Sequence, residues 1–230
     1  MLSIILKLKA KIGFYIRKLT FSPIAYWEDR AQKYGERSVL NLTHSTEEMK
    51  LVKGAQIDSI FPHLKKELNG SEKTLLDFGC GPGRFSVDLA NLTHCTVTGT
   101  DPIQHLLELA PKSDKVQYKL MQNGKITEAN ESFDVIWICL VLGGIVRRKE
   151  LNKTIKELNR VSKKGGLLLL VENTSDKKNI ISWKYRSVQK YIDLLKNFNL
   201  NHLEDYYDAG ERISIFAGRK TKNVDPNNKR

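Results

Sequence analysis

Cysteine and histidine are both scarce in this chain. It has three cysteines, Cys80, Cys95 and Cys139, and five histidines in 230 residues. The cysteines are too few and too scattered for a disulfide framework or a Cys-x-x-Cys site, and the histidines show no metal-binding spacing such as His-x-x-x-His. The sequence therefore predicts a protein of a reducing compartment with no structural metal.

The chain also lacks a long uninterrupted apolar run. Residues 1–20 are apolar, but their lysines come too early and too often for a signal peptide or a membrane-spanning helix. The spacing predicts a basic amphipathic helix, which fits a membrane surface and equally fits a cover for its own domain or a contact with a second subunit. One face carries Leu2, Ile5, Ile12, Ile16 and Leu19, and the opposite face carries Lys7, Lys11 and Lys18.

Acidic residues are outnumbered, since 38 Lys and Arg against 26 Asp and Glu give a net charge of +12. This excess indicates either an anionic partner or lysines that simply keep the surface soluble. With 40% hydrophobic and 28% charged residues, the composition is that of a soluble folded protein with one main domain, which we place at 21–220. The polar segment 221–230 is predicted to be disordered.

After Gly70 the sequence alternates between short apolar runs and helical stretches. The runs are "TLLDFG", "TVTGTD", "VQYKLM", "FDVIWICL" and "LLLLVE". Apolar runs of this length separated by helices are typical of a parallel sheet with both faces covered, which predicts a doubly wound α/β domain preceded by N-terminal helices. The last run, "RISIFAGRK", follows too short a connection for a crossover helix, so it should pair antiparallel.

A glycine-rich loop follows the first of these strands. Asp77, Gly79, Gly81 and Gly83 alternate with other residues in "DFGCGPG". A dinucleotide fingerprint would need a glycine where Arg84 stands, so that cofactor class is excluded. Asp101, about 20 residues onward at the end of the second strand, can accept hydrogen bonds from both hydroxyls of a ribose. The pattern predicts a small ligand that carries a ribose and lies against the backbone of the loop.

Four segments in order resemble the class I S-adenosylmethionine-dependent methyltransferases. They are "LLDFGCGPG", "VTGTDP", "SFDVIWICLVLGGI" and "ELNRVSKKGGLLLLVE", and the similarity runs over about 26–220. The resemblance implies a Rossmann-like, mostly parallel seven-stranded sheet that ends with an antiparallel strand. It also implies S-adenosylmethionine as the cofactor and methyl transfer as the reaction.

The resemblance further implies which residues contact the cofactor. Those of the glycine loop would contact its methionine end, Asp101 its ribose and Pro102 its adenine. The family often has an acid after the third strand, where this chain has Asn123, which would accept through its amide oxygen or serve as a turn residue. Cys139, at the pocket mouth, fits packing better than reactivity. The loop residues concerned are Asp77, Gly79, Cys80, Gly81 and Gly83.

The acceptor is less well specified by the sequence. Small-molecule relatives often have a histidine after the fourth strand, where this chain has Gly143 and Gly144. His44 and Glu172 are the remaining candidates for a general base, and a capping-loop histidine and a solvated glutamate are the alternatives. Aromatic and cationic residues before the glycine loop and after the fifth strand suit a sugar or phosphate-bearing acceptor, or else pack the core. They are Trp27, Arg30, Trp183, Tyr185 and Arg186.

These patterns together favour one function and leave two others open. We expect methyl transfer to a small or lipid-linked acceptor, such as a hydroxyl of a glycan precursor, by a cytoplasmic protein peripheral to the inner membrane surface. Base-methylating motifs such as Asn-Pro-Pro-aromatic are absent from the fourth-strand region, so a nucleic-acid partner is disfavoured. The net charge leaves an RNA methyltransferase as one alternative. A non-catalytic cofactor-binding protein of the same fold is the other, and the sequence does not fix an oligomeric state.

Overall fold

The computed structural model describes residues 20–221, which form a seven-stranded sheet with helices on both faces. The order is β3-β2-β1-β4-β5-β7-β6, and β7 is antiparallel to both of its neighbours. The predicted Rossmann-like sheet with an antiparallel C-terminal strand is therefore confirmed. The strands are β1 (Thr74–Phe78), β2 (Thr96–Asp101), β3 (Val116–Leu120), β4 (Phe133–Cys139), β5 (Ser162–Asn173), β6 (Asn201–Asp208) and β7 (Glu211–Arg219).

Six α-helices accompany the sheet in this part of the chain. They are α1 (Pro23–Tyr34), α2 (Met49–Glu67), α3 (Ser86–Thr93), α4 (Gln104–Glu108), α5 (Arg148–Val161) and α6 (Val188–Leu194), with 3-10 turns at Gly35–Val39, Leu142–Gly144 and Lys196–Phe198. Within residues 20–221 no helix is long and apolar enough to cross a bilayer. The predicted amphipathic helix, apart from its last residue, and the predicted tail beyond residue 221 lie outside the described residues.

Buried side chains from both faces of the sheet form the core. One apolar cluster joins α2 and α3 to the sheet and includes Trp137, and the other joins α5 and α6 to the opposite face. The central run of β5, residues 167–171, is fully buried, as expected of a strand between two helical layers. Strand β6 had no apolar run in the sequence because it is an edge strand whose side chains are largely exposed.

Two local sequence signals fix the helices that precede the glycine loop. The hydroxyl of Ser22 accepts from the backbone N–H of Ala25 at 3.3 Å and starts α1. Before α2, Ser45 and Glu48 form a capping box, because Ser45 N donates to Glu48 Oε2 at 2.7 Å and Glu48 N donates to Ser45 Oγ at 3.3 Å. Packing of α1 against α4 places Trp27 over the carboxyl end of the sheet.

Candidate functional site

A cavity of about 630 Å³ opens at the carboxyl ends of β1, β2 and β4. Ligands bind at this edge in open α/β sheets, and the volume is typical of small-molecule sites. The wall continues from the glycine loop past α1 to the first turn of α5. Eight predicted site residues lie on it: Trp27, Asp77, Gly79, Cys80, Asp101, Pro102, Asn123 and Cys139.

The start of the glycine loop has no room for a side chain. Gly79 has φ +71°, and a Cβ there would lie 2.6 Å from the methyl groups of Val141. The backbone N–H groups of Gly79 and Cys80 donate to the carbonyl of Thr100 at 2.8 and 3.1 Å. The loop is thus held against β2 on one side and against Val141 on the other, with its backbone exposed to the cavity.

The later glycines of the loop lie behind the wall. A Cβ on Gly81 would meet Val39 at 3.0 Å, and one on Gly83, where φ is +67°, would overlap the hydroxyl of Tyr118. Neither glycine is among the residues that line the cavity. The structure therefore does not place Gly81 and Gly83 where the resemblance implied, since both make room for protein side chains.

Asp101 combines a structural role with an open face on the cavity. Its carboxylate accepts from the N–H groups of Gly81 and Ile103, each at 2.9 Å, and burial raises its pKa to about 6. A carboxylate has about four acceptor sites, so two remain for the hydroxyls of a ribose. Pro102 and Asn123 lie on the same wall, and Asn123 also has the left-handed φ of +53° expected of a turn residue.

Asp77 and two thiols form the wall beneath the loop. Asp77 accepts from the hydroxyl of Ser86 at 2.6 Å, and burial raises its pKa to about 7. Burial likewise raises the pKa of Cys139 to about 12 and that of Cys80 well above its ordinary value. Both thiols therefore stay protonated at neutral pH and act as small apolar groups.

The comparisons with known proteins agree with this geometry. Residues 76–170 match the family model described as a methyltransferase domain. This stretch, which runs from β1 into β5 and includes the glycine loop and Asp101, is a methyltransferase domain. It is 29% identical over 152 residues, 61% of this chain and 52% of the relative, to methyltransferase GfsG of Streptomyces halstedii. The chain spans about half the length of the curated relatives it matches.

Solved structures show the same fold. An S-adenosylmethionine-dependent methyltransferase from Methanosarcina mazei superposes with a TM-score of 0.58 at 19% identity, over 70% of this chain and 98% of the other. A phosphoethanolamine N-methyltransferase from Haemonchus contortus, in complex with phosphomonomethylethanolamine and S-adenosylhomocysteine, superposes with a TM-score of 0.59 at 13% identity. That match covers 72% of this chain and 53% of the other.

Glu172 lies near the end of β5, away from the cavity. It is fully buried, and its carboxylate accepts from the N–H groups of Val141, Leu142 and Gly143 and from the hydroxyl of Tyr191. The three backbone bonds hold the loop after β4, residues 140–145, which we call the β4 loop. The prediction of a general base at Glu172 does not fit this placement, because its oxygens are bound and have no access to an acceptor.

The segment after β5 holds the β4 loop from its other side. Arg186 donates to the carbonyls of Leu142 and Ile145 at 2.7 and 3.0 Å, and a Cβ on Gly143 would overlap the indole of Trp183. Neither side chain lines the cavity, and neither does Tyr185, whose N–H donates to Asn179. These three predicted acceptor contacts are therefore not brought to the cavity; Arg186 and Trp183 support its wall.

His44 and Arg30 also have protein partners, and neither residue lines the cavity. His44 Nε2 lies 2.6 Å from Asp208 Oδ1 at the end of β6. Arg30 donates to the carbonyls of Ser38 and Leu40 at 2.6 and 2.9 Å, which fastens the turn after α1 to that helix. The structure thus does not place His44 as a base or Arg30 as an acceptor contact.

Several residues on the cavity wall were not predicted. Arg84, Trp137, Arg147, Glu150 and Lys153 all line the cavity. Arg84 directly follows the last glycine of the loop, so its position relative to the motif was a usable signal. Trp137 was read as part of an apolar strand, and the other three belong to a helix whose orientation the sequence does not give.

Proposed function

We propose that this protein transfers a methyl group from S-adenosylmethionine to a small or lipid-linked acceptor, with a hydroxyl of a glycan precursor as the expected target. The observation that carries the proposal is one cavity that joins the glycine loop and Asp101 to an open mouth beside Trp27. The residues fit the cofactor. Asp101 keeps free acceptor sites for a ribose, and the backbone of Gly79 lies on the cavity wall.

The mouth of the cavity has both apolar and charged walls. Ile24 and Trp27 of α1 face the start of α5, where Arg147, Glu150 and Lys153 lie. An aromatic face beside cationic groups suits an acceptor with a sugar ring or an anionic group. Arg147 Nη2 also donates to the carbonyl of Phe21 at 2.6 Å, which joins α1 to α5 across the mouth.

Methyl transfer from S-adenosylmethionine requires few catalytic side chains. When bound, S-adenosylmethionine supplies an already activated methyl group, so the protein's contribution is to hold the acceptor in line and exclude water. A hydroxyl acceptor also needs a proton acceptor within reach. Among the described residues no histidine lines the cavity, and Glu150 is the carboxylate at the mouth. We therefore assign Glu150 the role of base in this proposal.

Labelling identifies the acceptor. Radiolabelled S-adenosylmethionine is supplied with the purified protein to separated RNA, lipid and glycan fractions from cells that lack it, and we expect label in the lipid or glycan fraction. Trp27→Ala should then raise KM for that acceptor about tenfold through loss of the ring at the mouth. Tyr185→Phe is the control, since Tyr185 does not line the cavity. Label confined to RNA would contradict the proposed acceptor, and no label despite cofactor binding would favour the non-catalytic alternative.

We further propose that residues 1–19 attach the protein to anionic membranes. The support is the sequence pattern alone, in which lysines lie opposite an apolar face. Each lysine near such a surface contributes about 1 kcal/mol, and the contribution decreases with salt. Sedimentation with vesicles of phosphatidylserine and phosphatidylcholine should show binding that is lost when residues 1–19 are deleted. Binding that persists after the deletion would contradict this assignment.

A further inference from the structure

Three cationic side chains on the cavity wall differ in how their charges are compensated. Arg84 lies at the glycine-loop end, where it acts electrostatically on the buried Asp77. Arg147 and Lys153 lie at the mouth, and Glu150 comes between them at the start of α5. The charge of the mouth therefore depends on which of these two cations Glu150 neutralises.

Glu150 pairs with Arg147. Arg147 Nη1 lies 3.5 Å from Glu150 Oε1, and Arg147 Nη2 donates to the carbonyl of Phe21 at 2.6 Å. Lys153 is three residues further along, and within residues 20–221 its ammonium group forms no ion pair and no hydrogen bond. One positive charge at the mouth is thus left without a partner in that part of the chain.

The surroundings of Lys153 make this charge available to a ligand. Ile24 and Trp27 line the same mouth, and a charge beside an apolar wall attracts an opposite charge more strongly than one in open water does. Arg148 and Lys149 are exposed on the adjoining turn and do not line the cavity. They add positive potential at the mouth without filling it.

This arrangement of charges fits a phosphate group better than a carboxylate. The single charge of a carboxylate would be balanced by Lys153 alone, and the nearby Glu150 would repel it. A phosphate monoester carries a charge of about −1.5 to −2 at pH 7 and has three strong acceptor oxygens. It can therefore accept from Lys153 and still be attracted by Arg148 and Lys149.

We propose that the methyl acceptor carries a phosphate group and that Lys153 binds this group at the mouth of the cavity. The proposal rests on the proposed function, because it concerns the acceptor of the same methyl transfer. It narrows the glycan precursor to a sugar phosphate, either free or joined to a lipid through its phosphate. Lys153 is then a residue that determines acceptor specificity, and Arg147 keeps the charge of Glu150 from opposing it.

The charge of the labelled product tests the phosphate. Product from the lipid or glycan fraction should bind an anion exchanger at neutral pH and should stay bound at about pH 2, below the pKa of a carboxyl group. Label in the lipid fraction would identify a lipid-linked phosphate, and label in the glycan fraction a free sugar phosphate. A product that does not bind the exchanger, or that elutes on acidification as a carboxylate does, would show that the proposal is wrong.

Two lysines of α5 test the role of Lys153. Lys153→Gln should raise KM for the labelled acceptor about 5- to 20-fold, while kcat and the Kd of S-adenosylhomocysteine stay within about twofold. Lys153→Arg keeps the charge and should retain most of the acceptor affinity. Lys156→Gln is the control and should change none of these values, since Lys156 is exposed on the same helix and does not line the cavity.

The outcomes separate this proposal from the proposed function. If Lys153→Gln leaves KM unchanged, or raises it no more than Lys156→Gln does, Lys153 does not bind the acceptor. If label appears in RNA alone, or in no fraction, the proposed function itself fails and the phosphate-bearing acceptor fails with it.

Discussion

Asp101→Ala should lose about 2 to 4 kcal/mol of affinity for S-adenosylhomocysteine, which is roughly a 30- to 1,000-fold increase in Kd. The loss has two sources. The variant cannot accept from the ribose hydroxyls, and it leaves the buried N–H groups of Gly81 and Ile103 without an acceptor, so the glycine loop loosens. Calorimetry at pH 7.5 measures the change. Asp88→Ala, at a half-exposed aspartate of α3 that pairs with Lys53, is the control and should bind normally.

Asp101→Asn separates these two sources by its pH dependence. In the wild-type protein the carboxylate form accepts the ribose hydroxyls, and burial raises the pKa of Asp101 to about 6. Binding of 5′-methylthioadenosine should therefore tighten as the pH rises through about 6, because below that value a proton must first leave. The Asn variant should lack this rise. Wild-type affinity in the Ala variant, or an unchanged pH profile in the Asn variant, would contradict the ribose role.

Glu172→Ala should destabilise the fold by about 3 to 5 kcal/mol. The variant removes the acceptor of three backbone N–H groups of the β4 loop and of the Tyr191 hydroxyl, and it leaves Arg186 without its nearby negative charge. Urea unfolding measures the free energy. Glu172→Gln retains one acceptor oxygen and should lie between the wild-type protein and the Ala variant.

Glu150→Ala is the matched control for stability. Glu150 is 44% exposed by its side chain and pairs only with Arg147 at 3.5 Å, so the expected change in unfolding free energy is within about 0.5 kcal/mol. A loss below about 1 kcal/mol in Glu172→Ala would show that the β4 loop keeps its shape without the carboxylate. In that case Glu172 would have no supporting role, and the β4 loop would owe its shape to Arg186 and Trp183.

The sequence predicted the features of the site that depend on local order along the chain. The glycine loop and Asp101 are each read from a strand end and the residues that follow it, and the structure places Gly79 and Asp101 on the cavity wall. The capping box before α2 was predictable for the same reason, since its two residues are three apart. Strand ends, caps and tight turns depend on residues that are close in sequence, so they can be predicted without knowledge of tertiary packing.

The side chains that the structure places away from the cavity depend on contacts between distant segments. Arg186 looked like an acceptor contact, but carbonyls more than 40 residues away in sequence bind its guanidinium. Glu172 looked like a solvated strand end because the sequence does not show that the β4 loop folds back over it. Trp137 illustrates the converse, since an aromatic residue within an apolar strand gave no sign that it would line a ligand cavity.

The two ends of the cavity are built from separate stretches of chain. The end that fits the cofactor uses the loops after β1 and β2, which are joined by the hydrogen bond from Gly81 N–H to Asp101. The mouth uses α1 and the first turn of α5, and α1 keeps its own shape through the bonds from Arg30 to Ser38 and Leu40. The two stretches meet at Val39, which follows α1 and lies against Gly81, so residues 21–40 contribute to both ends of the cavity.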